Sequence, residues 1–394
     1  MINLSIPQEH QILRTTIREF LTKEIQPIIN EYDREQKFVP PLKKMGELGI
    51  LGISIPEKYG GSGLDYLALA IACEELERID SALRVVMSVH SGLNNLTLYQ
   101  WATEEQKHKF LVPQAQGKKI ATFGLTEPGN GSDVAALQTY ATRAGDEYIL
   151  NGTKTWISLA TTADHFLIIA RLDREKRGTE NLAAFIVDRN ESGVTSHAIT
   201  GKLGIKTIDT GEIVLDDVYV SQDNRIGNEG EGFKIAMSAL DNGRFTVAAG
   251  AVGLIKACIE SSVSYATSRN AFQREIGKFQ LIQEHIAHMQ ANYDVSQLLV
   301  YKAAWMKNIG KRNTRETSMA KWIATNNALD AANRAIQIHG ANGYSSDYSV
   351  ERYWRNARGA LIYEGTSEIQ KLIQAGYVLG YRKDPPLRCD LPPA

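Results

Sequence analysis

A carboxylate that could serve as a base stands at Glu364, in the stretch Leu361-Ile-Tyr-Glu-Gly-Thr-Ser-Glu-Ile-Gln370. The apolar approach Leu361-Ile362-Tyr363 predicts a desolvated setting, and Thr366 or Ser367 is placed to cap a following helix. Taking a carboxylate out of water raises its pKa, which suits it to remove a weakly acidic proton from a carbon next to a carbonyl. Such a transfer needs an electron sink. Read alone, the same decapeptide also fits a solvated glutamate in the turn ahead of a helix.

Two other stretches offer the means to hold a sink. In Phe123-Gly-Leu-Thr-Glu-Pro-Gly-Asn-Gly-Ser-Asp133 the glycines let backbone N–H groups converge on an anion, and Thr126 and Ser132 add hydroxyl donors. By itself this is equally a turn-rich loop. In Lys154-Thr-Trp-Ile-Ser158 a period of two puts Trp156 and Ser158 on one strand face, where an aromatic plate and a hydroxyl could flank a flavin ring or simply pack in a core.

The elements that must position these residues change character twice along the chain. Up to about Gln116 the pattern is helical: Leu13, Ile17, Phe20, Leu21 and Ile25 share a face after a capping-box candidate at Ser5 and Gln8, and Thr103 with Gln106 forms a second. From Ile120 to about Val220 short apolar runs alternate with the turn pairs Gly145-Asp146, Asn151-Gly152 and Ser192-Gly193. Asn151-Gly152 is expected to make a hairpin. From Gly232 the helical period returns, and Ile282, Ile286, Met289, Tyr293, Ser296, Val300 and Ala303 are spaced alternately four and three, the seam of a bundle. The expected fold is therefore mostly α with a central β domain: 1–118 all-α, 119–229 a barrel-like β domain, and 230–394 a four-helix bundle.

Composition excludes several function classes. The 44 Lys+Arg and 45 Asp+Glu leave a net charge of -1, so no global field draws the chain to nucleic acid or an anionic membrane. Cys73, Cys258 and Cys389 lack metal or redox spacing and suit a reducing cytoplasm. The N-terminus reads as neither signal nor transit peptide, and no run is expected to reach the roughly 18 apolar residues of a membrane span. His285 and His288, at i and i+3, read as surface or interface residues rather than metal ligands, and His339 as a packed histidine.

The order of an all-α part, a β part and a helix bundle, with the Phe123–Asp133 and Lys154–Ser158 stretches and then Tyr363-Glu-Gly-Thr366, resembles the acyl-CoA dehydrogenase family over essentially the whole chain. The resemblance implies FAD as cofactor. It places Phe123, Leu125, Thr126, Gly131 and Ser132 against the flavin ring and pyrophosphate, with Ser132 also near CoA, and Trp156, Ile157 and Ser158 beside the isoalloxazine. Arg269, Phe272 and Gln280 resemble a segment that reaches the FAD of a neighbouring subunit, which implies a homotetramer built as a dimer of dimers. Gln273 stands where the family usually has glycine. Gln337, Gly340 and Ala341 match an adenosine-side loop, and Thr366 and Glu368 a further cofactor contact. Glu364 matches the base that removes the α-proton of an acyl thioester while hydride leaves the β-carbon. Its own backbone N–H would hydrogen-bond the thioester oxygen, beside Gly365. Family members that carry the base on another helix have it where this chain has Gly243. Asp241 and Arg244 match residues near the pantetheine and thioester, although Arg244 also fits a plain ion pair. Electron-transferring flavoprotein is the implied acceptor.

The substrate is read from Glu77-Arg-Ile-Asp-Ser-Ala-Leu-Arg-Val-Val-Met-Ser88. Arg84 with Glu77 and Ser88 resembles the glutaryl-type pattern, in which an arginine pairs the distal carboxylate of the substrate before decarboxylation. Glu77, seven residues earlier, could instead pair Arg84 internally and leave a pocket for a short, saturated acyl-CoA. The Ser367-Glu-Ile-Gln370 segment resembles monocarboxylate enzymes and tips the balance to the short-chain reading. An acyl carrier protein would present the same thioester. A flavin-binding scaffold or DNA-binding relative would want a basic face that this balanced chain lacks.

Overall fold

The computed structural model describes residues 6–176 and 178–389. Helix α1 (Gln8–Glu24) starts from Pro7 and buries Ile17, Phe20 and Leu21; Ser5, expected to begin its capping box, lies outside the described residues. After α2 (Ile29–Glu35) and α3 (Leu42–Glu47), α4 (Tyr66–Ile79) is capped by Asp65, which accepts from the Ala68 N–H at 2.8 Å. Helix α5 (Ser81–Val86) passes through a π-helical run (Met87–Asn95) into α6 (Leu96–Trp101). The capping box at α7 (Glu104–Gln106) is formed as expected, with Gln106 N–H donating to Thr103 Oγ1 at 3.2 Å and Thr103 N–H to Gln106 Oε1 at 3.0 Å. A second π-helical run (Lys107–Leu111) and α8 (Val112–Ala115) close this part.

The middle of the chain is a mixed eight-stranded sheet. Its strands are β1 (Ala121–Gly124), β2 (Tyr140–Ala144), β3 (Glu147–Ser158), β4 (His165–Arg171), β5 (Leu182–Asp188), β6 (Val194–Ala198), β7 (Thr210–Ser221) and β8 (Arg225–Ile226). They lie in the order β6-β7-β3-β2-β4-β5-β8, with β1 parallel to β4. Gly145-Asp146 turns β2 into β3 as expected, but Asn151-Gly152 is not a hairpin. The pair sits inside β3, where the ladder to β7 slips between Leu150 and Gly152. Glycine is required there for two reasons: its φ is +147°, and a Cβ would stand 2.7 Å from the Thr139 Cα.

The last part is helical: α9 (Gly232–Ser268), a two-residue hairpin between β9 (Asn270–Ala271) and β10 (Arg274–Glu275), then α10 (Gln280–Asn308), α11 (Thr314–His339), α12 (Val350–Ala360) and α13 (Ser367–Val378). On α10, Met289, Ser296, Val300 and Ala303 of the expected seam are buried, and Ile282, Ile286 and Tyr293 pack against the core from its edge. One expectation fails at α9, which is long and apolar enough to cross a membrane by length and composition. It is instead the core helix, buried between α4, α10 and α11.

Asp80 joins the three parts of the chain. It is fully buried, caps α5 through the Ala82 N–H at 2.9 Å, and accepts from Thr207 at 2.8 Å, from Asn356 at 3.2 Å and from Arg352 in an ion pair. Arg352 also donates to the Ile79 carbonyl at 2.9 Å. The start of the helix that carries Arg84 and Ser88 is thereby fixed to both the sheet and α12.

The hairpin between β9 and β10 holds Phe272 and Gln273 at φ +52° and +64°. Two consecutive left-handed residues are the geometry of a tight two-residue hairpin turn, and a side chain is strained there. Gln273→Gly is expected to raise stability by about 0.5–1 kcal/mol, read as a higher denaturation midpoint; a lower midpoint would mean that the glutamine side chain holds the turn.

Candidate active site

Glu364 lies between α12 and α13 in a backbone conformation that few residues adopt, at φ +55°, followed by Gly365 at φ +90°. The turn ends where Thr366 caps α13, accepting from the Ile369 N–H at 3.3 Å. Three side chains from three helices hold its two carbonyls. Arg244 of α9 donates to the Glu364 carbonyl at 3.2 Å, Lys321 of α11 to the Gly365 carbonyl at 2.8 Å, and Gln370 of α13 to both, at 3.4 and 2.9 Å.

The residue keeps partial exposure, yet its Oε2 is shut off from solvent and has no hydrogen-bond partner. Burial is the largest influence on the carboxyl and lifts its pKa to about 7, against the opposing pull of Arg84, Lys321 and Arg244. The carboxylate packs on α9 at Gly243, where a Cβ would overlap it and stand 2.8 Å from its Cδ. A glycine at 243 and a glutamate at 364 are thus two halves of one steric fit.

Behind the carboxylate, Arg84 is buried in a closed network. Nε donates to Glu77 at 2.5 Å, Nη1 to Ser88 at 2.9 Å and Nη2 to the Tyr363 hydroxyl at 2.5 Å, with the guanidinium carbon 5.3 Å from the Tyr363 ring centre. Ser88 shares a 2.7 Å hydrogen bond with Thr246 of α9, and a Cβ at Gly250 would come within 2.7 Å of Glu77 and 2.8 Å of Arg84. Glu77 and Tyr363 hold Arg84 firmly in its charged state. Arg244 pairs with Asp241 at 3.0 Å, and Asp241 also accepts from Thr314 at 2.5 Å. Arg244 therefore makes the ion pair and in addition anchors the Glu364 backbone.

The expected cofactor residues fall into two groups. In the first, the Thr155 N–H donates to the Thr126 carbonyl at 2.9 Å and the Thr122 hydroxyl to the Ser158 carbonyl at 2.6 Å, which sets Phe123, Leu125 and Thr126 beside Trp156, Ile157 and Ser158. Phe123, Leu125 and Ile157 are buried, while Trp156 is 60% exposed at a break in β3, with φ +59°. The loop carrying Gly131 and Ser132 is open, since a Cβ on Gly129 or Gly131 would meet nothing within 4 Å. An exposed indole beside open backbone amides fits a planar, phosphate-bearing cofactor. In the second group, Arg269, Phe272 and Gln280 are exposed at the hairpin and the start of α10. Gln337, Gly340 and Ala341 are exposed nearby, where Tyr265 stacks on the buried His339 at 4.3 Å and accepts from Asn342 at 2.9 Å. Among the described residues no hydrogen bond joins the two groups within one chain. Glu368 is exposed in the first turn of α13. His285 and His288 both face Glu284 on the surface of α10, at 3.4 and 3.0 Å.

Lys154, Glu127 and Lys321 were not singled out from the sequence. Lys154 is buried and donates to Glu127 at 2.8 Å and to the Leu125 carbonyl at 3.2 Å, while Glu127 accepts from the Gln138 and Thr139 N–H groups, so this pair closes the Leu125–Thr126 loop. Lys321 did leave a signal: with Thr317, Ala324 and Ala328 it occupies the buried stripe of α11, where a lysine is out of place unless it has a partner.

Three family models cover the chain: "Acyl-CoA dehydrogenase, N-terminal domain" at residues 7–118, "middle domain" at 122–218 and "C-terminal domain" at 230–379. The short-chain specific acyl-CoA dehydrogenase of Clostridium acetobutylicum is 40% identical over 378 residues, covering 96% of this chain and all of that one. The structure of butyryl-CoA dehydrogenase from Megasphaera elsdenii superposes with a TM-score of 0.94 at 37% identity, covering 96% of this chain and all of that one. That of a glutaryl-coenzyme A dehydrogenase with glutaryl-CoA superposes equally well, at 38% identity over 97% of this chain and 98% of that one. A carboxylate shut off from solvent on a left-handed turn, an exposed indole beside an open glycine loop, and this agreement along the whole chain lead to one conclusion: the protein belongs to the acyl-CoA dehydrogenase family of FAD-dependent oxidoreductases.

Proposed function

We propose that this chain dehydrogenates a short-chain acyl-CoA to the trans-2-enoyl thioester, with Glu364 as the base that removes the α-proton. The observation that carries this reading is the Glu364 carboxylate, which is buried, unpartnered at Oε2, lifted to about pH 7 and fixed by three helices at its own backbone. A base poised near neutrality takes a weakly acidic proton better than an ordinary glutamate. The chemistry FAD supplies when held against Trp156 and Ser158 is acceptance of the hydride that leaves the β-carbon. The α-proton moves to Glu364 Oε2, and the dry surroundings made by Tyr363, Gly243 and Leu93 keep water from competing for the carboxylate.

The Arg84 network supports an uncharged acyl end. Each of its three nitrogens already donates to a protein acceptor, and Glu77 supplies the anion that a buried guanidinium requires. The second reading, glutaryl-CoA with decarboxylation, rests on the nearness of Arg84 to Glu364, on which it is the strongest positive influence. Anaerobic mixing with butyryl-CoA, isovaleryl-CoA and glutaryl-CoA separates the two. Bleaching of the flavin by a monocarboxylate, with none by glutaryl-CoA, is the expected result; fast bleaching by glutaryl-CoA with carbon dioxide release would make Arg84 a carboxylate anchor.

The exposed Arg269, Phe272 and Gln280, far in the chain from the Trp156 group, support a cofactor site completed by a second copy in a homotetramer. Electron-transferring flavoprotein is the acceptor this family reading carries, and a reducing cytoplasm suits the free, buried Cys73 and Cys258.

A further inference from the structure

Lys321 is buried on the core stripe of α11, and among the described residues its ammonium makes one hydrogen bond, the 2.8 Å contact with the Gly365 carbonyl. Among the described residues it has no carboxylate within ion-pair distance, which sets it apart from the two arginines at the same site. Arg84 is committed to Glu77 and Arg244 to Asp241. Burying an ammonium without an ion pair is costly unless its charge acts on something nearby. The strongest favourable electrostatic partner of Lys321 is Glu364, and the next is Glu368 on α13.

We infer that Lys321 is a positioning residue for the base: its bond to Gly365 locks the left-handed Glu364–Gly365 turn, and its charge keeps the adjacent carboxylate ionised near neutral pH. The inference rests on Glu364 being the base. The groups that face the carboxylate are Arg84 from α5, with Glu77 and Cys73 behind it on α4, the Ser88 hydroxyl from the π-helical run, Arg244 from α9, Lys321 from α11 and Tyr363 from the turn itself. Those that face Lys321 are Glu364, Arg244, Arg84 and Glu368. Desolvation lowers the Lys321 ammonium to about 7 and lifts the Glu364 carboxyl to about 7, and each group's charge favours the charged form of the other, so the ionisation of the one depends on that of the other. The sign follows from charge alone: a protonated Lys321 favours the carboxylate, so removing it leaves Glu364 protonated to higher pH.

Three variants separate bond from charge. Lys321→Met removes both, Lys321→Gln keeps a donor for the Gly365 carbonyl without charge, and Lys321→Arg keeps the charge. Two readouts are taken against pH: the anaerobic rate of flavin reduction, and the infrared carboxyl band that is lost in Glu364→Gln, which reports ionisation without turnover. In Lys321→Met and Lys321→Gln the acid limb of the rate and the infrared midpoint should both move up by about one pH unit, while Lys321→Arg stays close to the wild type. The high-pH plateau should fall further in the Met variant than in the Gln variant. If Lys321→Met does not fold, the Gln and Arg variants carry the comparison. Midpoints that superpose on the wild type, with Glu364→Gln inactive, would overturn the role of Lys321 and leave the base intact. A Glu364→Gln enzyme that reduces flavin at a near-normal rate would overturn the base and this inference with it.

Discussion

Glu364→Gln is expected to slow anaerobic flavin reduction by an acyl-CoA by roughly 10²- to 10⁴-fold while the bound flavin and the ligand affinity persist. Glutamine preserves the volume of the side chain, and the backbone of the turn is held by Arg244, Lys321 and Gln370 through carbonyls that the substitution does not touch. The loss should therefore appear in the rate of the chemical step rather than in binding. Stopped-flow bleaching beside a titration with a non-reducible thioester analogue checks both halves. A rate within a few-fold of the wild type would place the base elsewhere, and a collapsed affinity would mean that the carboxylate holds the ligand instead of attacking it.

Asp80→Ala is expected to be the most damaging change outside the site, costing about 3–5 kcal/mol. The substitution leaves Arg352 buried without its counter-ion and strips Thr207 and Asn356 of an acceptor and α5 of its cap. Because Asp80 ties the helix of Arg84 to the sheet and to α12, the loss should appear as earlier unfolding in denaturant and as weaker flavin retention together. Asp80→Asn, which keeps the cap and the bond from Thr207 on Oδ1 but loses the acceptor for Arg352 and Asn356, should lie between alanine and wild type. A shift of the midpoint too small to resolve for the alanine variant would show that the three parts are held by their apolar packing alone.

What could be read from the sequence was local. The Thr103–Gln106 capping box, the seam of α10 and the helix cap at Thr366 depend on residues three or four apart, and each stands in the structure as expected. Asn151-Gly152 misled because its glycine answers to Thr139, a neighbour across the sheet, and not to a turn. The π-helical runs at Met87–Asn95 and Lys107–Leu111 leave no periodicity long enough to detect. At the site, the desolvation of the Glu364 carboxylate was legible from its apolar approach, but the support of its backbone was not. Arg244 and Lys321 act on backbone carbonyls 120 and 44 residues away, and a carbonyl carries no sequence signature.

The steric fit between Gly243 and the Glu364 carboxylate has an evolutionary consequence. A side chain gained at 243 would meet the far end of the Glu364 side chain and the tip of Leu93, not backbone, so it would have to turn the carboxylate aside. The cost of such a change falls on the rotamer of Glu364 and not on the backbone of α9 or of the turn. The two positions are therefore expected to be epistatic: a side chain gained at 243 should change the reach and ionisation of the carboxylate at 364 more than it changes the stability of the fold.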